Sequence, residues 1–174
     1  MRLARGWIAV LFKVAALIAL LGSEPVISIP IAAQDAGVAA AAAFQDVCLA
    51  TRGSGVDGVI AAIELRPGIT EQQSFPAYSG SNPLRVFSDG SLEFLVRTDK
   101  RGRYGCFVAV KSDAPKVSTT IKAALDGLPQ WRVKPVKPSK KVYFEWAMPG
   151  SKDEIRLTPS SDIGAVLINL EVNS

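Results

Sequence analysis

The chemistry open to this 174-residue chain is set by two cysteines, Cys48 and Cys106, and by the absence of histidine. Without an imidazole, neither a Ser-His-Asp nor a Cys-His nucleophile can be assembled, and the usual histidine zinc sites are excluded. The cysteines stand far apart, so they are not a CxxC redox pair. A serine activated by lysine needs no histidine, and "VSTTIK" is the one stretch that approaches it. Ser118 and Lys122 are one position too far apart for a Ser-x-x-Lys motif. Thr119 has the right spacing, and the expectation for all three is the wet face of an amphipathic helix. Asp153 and Glu154 are adjacent, and neighbours on a strand point to opposite faces. Asp89 and Asp99 fall at hairpin tips. Solvated turns are expected at these positions, not a paired general acid and base. "GSGVDG" at Gly53–Gly58 lacks the Lys-Ser/Thr that completes a phosphate-binding loop. No catalytic residue, metal site or cofactor is expected.

One charged cluster stands out. "WRVKPVKPSKK" carries Arg132, Lys134, Lys137, Lys140 and Lys141 with no acid among them, beside Trp131 and Tyr143. Strand alternation puts Arg132 and Lys134 on one side. Such a stripe can grip an anionic envelope component or an acidic protein. Lysine and proline also protect an exposed sheet edge from pairing with another chain, and both readings stand at this point. The formal charge is +4, but Arg2, Arg5 and Lys13 against Glu24 leave only 17 basic and 15 acidic residues in the remainder. Nucleic-acid binding is not inferred from so small an excess.

The N-terminal stretch has the layout of a secretory signal: Arg2 and Arg5, an apolar run from Val14 to Leu21, breakers at Gly22, Ser23 and Pro25, and small residues at Ile31–Ala33. The expected organisation is a signal peptide over 1–33, an Ala-rich mature N-terminus over 34–43, and one domain over 44–174. An alternative cut lies in Ala39–Ala43, and an uncleaved anchor is the lesser reading because the apolar run is short for a membrane span. Removal of the signal leaves no span. The expected location is periplasmic or secreted. In an oxidising compartment two thiols read as one disulfide, with two buried free thiols as the alternative.

The elements that must position these residues follow from hydrophobic period. Ala39–Thr51 reads as a helix with Phe44, Val47, Cys48 and Thr51 on one face. "VDGVIAAIEL" reads as a second helix, and Ile69–Pro83 as a polar loop. "LRVFS", "SLEFLVRT" and "RYGCFVAVK" alternate with period two around Asp89-Gly90 and "DKRG" turns. "SDAPKVSTTIKAALDGLP" is a third helix, capped by Ser112 or Asp113 and closed by Gly127 and Pro129. "WRVKPVKP" contains Pro135 and reads as an edge strand or an extended arm. "KKVYFEWAM", "EIRLTPS" and "GAVLINLEVN" complete the strands. No internal repeat is evident. The order helix-helix-strands-helix-strands predicts a two-layer α+β domain, an antiparallel sheet with helices on one face. Cys48 and Cys106 then face the same buried layer.

"FQDVCLATRG" followed by "GRYGCFVAV" and "KAALDGLP" resembles the small exported proteins of alphaproteobacteria that carry Phe-x-x-x-Cys on a helix and a second cysteine on a strand. The resemblance covers 44–128 and implies a periplasmic location and a Cys48–Cys106 disulfide. It implies no activity. The expected function is a non-catalytic binding or interaction domain. The runners-up are a histidine-free Ser/Thr-Lys hydrolase and an inhibitor of an envelope-acting enzyme that uses Ile69–Pro83 as a protruding loop.

Overall fold

The computed structural model describes residues 31–75, 83–99, 101–112, 114–136, 142–160 and 164–173. Helix α1 (Ile31–Phe44) runs into a π-helical turn (Gln45–Leu49), and α2 (Gly55–Glu64) follows. Strands β1 (Thr70–Phe75), β2 (Leu84–Ser88), β3 (Leu92–Thr98) and β4 (Tyr104–Lys111) precede α3 (Ala114–Asp126). Strands β5 (Arg132–Lys134), β6 (Phe144–Ala147), β7 (Glu154–Ser160) and β8 (Ala165–Val172) complete the order. All eight strands form one antiparallel sheet, β1-β2-β3-β4-β8-β7-β6-β5, and the helices pack on one face of it. The two-layer α+β architecture is as expected.

The register shows how alternation builds the core. One row crosses the sheet through Val133, Trp146, Ile155, Leu170, Cys106, Val96 and Arg85. From Trp146 to Val96 it is buried beneath the helices, and it emerges at both edges. The adjacent row on the other face reads Lys134, Glu145, Arg156, Asn169, Phe107, Leu95 and Val86. There Arg156 bridges Glu145, Glu154 and Glu171, so that half of the face is ionically compensated within itself.

The alanine run is part of the core. Ala40, Ala41 and Ala43 are buried, and a Cβ added at Gly37 would stand 2.9 Å from Thr120 Cβ and 3.3 Å from the Val117 carbonyl. Small residues let α1 approach α3 closely. Ile31–Ser174 forms one compact unit.

Two further expectations are corrected. The helix does not run regularly to Thr51: the Ala50 amide bonds the Gln45 carbonyl at 2.9 Å, five residues back, which re-aims Leu49 and the residues after it. Ile69–Pro83 is not wholly a loop, because Thr70–Phe75 is a strand with a register shift between Glu71 and Gln73. Residues 76–82 lie outside the described set, so a protruding inhibitory loop has no described geometry.

The topology, unlike the sequence, is symmetric. Each half of the sheet is a helix followed by a four-strand meander, α2-β1-β2-β3-β4 and α3-β5-β6-β7-β8, with first strands outermost and last strands adjacent at the centre. The likeness in sequence is confined to a few positions 62 apart, Val59 and Ile63 with Ile121 and Leu125, Ala61-Ala62 with Ala123-Ala124, Pro67 with Pro129 and Gly102 with Gly164, and it fails in the strands, where inward Leu92, Phe94 and Val96 fall opposite outward Glu154, Arg156 and Thr158. Val59, Ile63, Ile121 and Leu125 are all buried, and both glycines adopt positive φ, 78° and 58°. The two halves thus share an element order and a strand topology. Helix α1 has no counterpart and breaks the symmetry.

Candidate functional site

Cys48 lies in the π turn and Cys106 at the middle of β4; both are fully buried and joined as a disulfide with Cα atoms 5.6 Å apart. That separation is ordinary for an unforced bridge. The disulfide pins the C-terminal end of α1 to the sheet. The chain then leaves the helix through Thr51, Arg52 and Gly53, where a second tether acts.

Arg52 reaches across to Asp153, whose residue is only 3% exposed. Arg52 Nε donates to Asp153 Oδ2 at 2.6 Å, and Nη2 lies 2.5 Å from the same oxygen and 3.3 Å from Ser151 Oγ. Asp153 Oδ1 accepts the Asn173 amide at 2.9 Å. Burial by itself would raise the Asp153 pKa; the Asn173 amide, Arg52 and Ser151 outweigh it and hold the carboxyl below its ordinary value. The Tyr104 hydroxyl donates to the Arg52 carbonyl at 2.6 Å. Burial, and then the Asp153 charge, push that phenol upward. Arg52 is therefore held at backbone and side chain alike.

This fixed guanidinium stands at a cleft of about 360 Å³ lined by Leu49, Arg52, Gly53, Leu128, Pro129, Gln130, Trp131 and Met148. Its walls are the π turn with its following turn, the α3–β5 connection, and the end of β6. Five of these residues are apolar in side chain, and none is acidic. The cleft lies where α1 breaks the internal symmetry. The corresponding connection in the first half is Arg66-Pro67-Gly68-Ile69, where Arg66 faces Asp89 at 4.0 Å and stacks 5.0 Å from the Phe94 ring centroid.

Compared with known protein families, curated proteins and solved structures, the chain matches none.

The basic stripe is placed as follows. Arg132 and Lys134 do share the open face of the sheet at its edge. Lys134 is not a free cation: it sits 2.5 Å from Glu145 and 2.7 Å from Glu154, and those bonds, Glu145 first, raise its pKa. Arg132 is exposed, and its Nη1 donates to the carbonyls of Pro129 at 2.8 Å and Trp131 at 3.1 Å, both on the cleft wall. Lys137, Lys140 and Lys141 lie outside the described residues.

Other expectations are revised here. Asp153 and Glu154 are not solvated turn residues, since one is buried against Arg52 and the other pairs with Lys134 and Arg156. Ser118 is not on the wet face; it is buried at 4% exposure, while Lys122 pairs with Asp126 and lies over the Phe144 ring. The features that sequence reasoning missed are Arg52 and the cleft beside it. The Pro67/Pro129 correspondence could have drawn attention to the α3–β5 connection, but Arg52 carries no local signal.

Among the described residues no helix is long and apolar enough to cross a membrane, and no group of His, Cys, Asp or Glu is arranged to hold a metal ion.

Proposed function

We propose that the protein is an exported, non-catalytic binding domain whose site is the cleft between the π turn and the α3–β5 connection. The observation that carries this reading is the cleft itself: a concavity of about 360 Å³ with apolar walls and one immobilised guanidinium. Ligand sites have this size range and composition, with few polar groups set among apolar ones. A π turn at one wall supports the reading, because such turns frequently occur at functional sites. The buried disulfide supports action in a periplasmic or extracellular compartment, where such bonds persist. The hydrolase alternative is weaker, since Ser118 is buried and Lys122 is engaged by Asp126.

The test uses the oxidised protein and the neutral apolar fluorophore N-phenyl-1-naphthylamine, whose emission rises in apolar surroundings. Gly53 has an ordinary φ, and a Cβ added there meets nothing within 4 Å, so Gly53→Phe can fill the cleft from its wall without disturbing the core. The expected result is enhanced emission with the native protein and its loss in Gly53→Phe. No enhancement, or the same enhancement in both, would remove the cleft as a binding site.

A further inference from the structure

The electrostatics of the cleft point to a narrower class of ligand. None of its eight lining residues is a carboxylate. One edge of the Arg52 guanidinium, Nε and Nη2, is committed to Asp153 and Ser151, and Nη1 has no hydrogen bond to a described residue. Arg52 keeps 31% of its side-chain surface exposed. Arg132 adds a second guanidinium against the Pro129 and Trp131 carbonyls of the wall, and it has no ion-pair partner among the described residues. Arg52 thus stands over an apolar floor of Leu49, Leu128, Trp131 and Met148, with Arg132 held outside that lining by the Pro129 and Trp131 carbonyls.

Resting on the binding reading above, we infer that the cleft selects a free carboxylate that terminates an apolar chain. The apolar chain lies against Trp131 and Met148, and the carboxylate takes the open edge of Arg52 with Arg132 at the rim. Arginine suits this task because its planar fork meets a carboxylate through parallel N–H groups. A fatty acid and an apolar peptide C-terminus present the same chemistry.

The experiment is displacement of N-phenyl-1-naphthylamine from the oxidised protein by matched pairs: decanoate against decanamide, and acetyl-Leu-Phe with a free against an amidated C-terminus. The acid of at least one pair is expected to displace the probe about tenfold better than its neutral partner, in line with a charge-assisted hydrogen bond. The pair that discriminates names the source. Arg132→Gln, an exposed position outside the core, is expected to cut the acid-over-neutral preference severalfold. Arg52→Lys, which keeps the charge beside Asp153 but loses the second edge, is expected to cut it as well, the preference being read within each variant as the ratio of acid to neutral displacement. Equal displacement by acid and neutral partner in both pairs, with the probe still bound, overturns the carboxylate inference and leaves the binding site standing. Failure of the probe to bind at all overturns the site instead.

Discussion

Opening the Cys48–Cys106 bridge is the most direct challenge to this architecture. The bridge spans a sequence separation of 58 and encloses α2, β1, β2, β3 and the start of β4. In the chain-entropy treatment, closing a loop of that length removes about 14 cal/mol/K from the unfolded ensemble, or about 4 kcal/mol at room temperature. The folded unit spans Ile31–Ser174. At about 2.1 cal/mol/K per residue its unfolding entropy is roughly 0.3 kcal/mol/K, so the loss corresponds to a fall of roughly 14 °C in Tm. The measurement is thermal unfolding by far-UV circular dichroism of the oxidised protein, the reduced protein, and Cys48→Ala/Cys106→Ala. Reduced wild type isolates the cross-link. The double variant adds the packing lost by two fully buried sulfurs and is expected to melt slightly lower still. The native spectrum should survive in all three, because the helix face and the strand remain buried by other contacts. A reduced protein that melts within about 4 °C of the oxidised one would refute the reasoning: the 48–106 loop would then already be constrained without the bridge.

Two other perturbations bear on the tethers around the cleft. Asp153→Asn should lower stability by about 2 kcal/mol, read as a shift in urea midpoint, because it leaves the Arg52 charge without its buried partner. The same residue sets an acid limb. Its folded pKa is depressed below the ordinary 3.8, so its contribution is fully present above about pH 4 and is lost as pH falls through the folded value. The urea midpoint of the native protein should be flat in this respect from pH 5 to 7 and fall below about pH 4, with a shallower fall in Asp153→Asn. Gly37→Val should cost about 2 kcal/mol by the same assay, because its Cβ would meet Thr120 Cβ at 2.9 Å and drive α1 from α3, whereas Gly53→Ala should stay within about 0.5 kcal/mol.

Much of the sheet was legible because its information is local. Val166, Ile168, Leu170 and Val172 alternate in the sequence and all are buried on one face, as are Tyr104, Cys106, Val108 and Val110. The disulfide followed from the same logic, one cysteine on a helical stripe and one on a strand stripe. What failed was of two kinds. Thr70–Phe75 is an edge strand, and an edge tolerates polar residues that read as loop. The cleft draws on Leu49–Gly53, Leu128–Trp131 and Met148, three segments joined only by tertiary packing, and the Arg52–Asp153 pair spans a separation of 101. No periodicity encodes such a meeting. The matching topology of the two halves was not legible either, because at an offset of 62 the inward Leu92, Phe94 and Val96 meet the outward Glu154, Arg156 and Thr158.

The position of β8 governs how this molecule can assemble. It is last in chain order yet sits between β4 and β7, the joint between the two meanders. While the chain is being synthesised, each meander can form its own hairpins, but each ends on a strand with unsatisfied amides and carbonyls until Ala165–Val172 arrives. The nascent protein therefore passes through a stage with two sticky borders and no closing strand. Whatever delays β8 prolongs the period in which one copy can stitch itself to another.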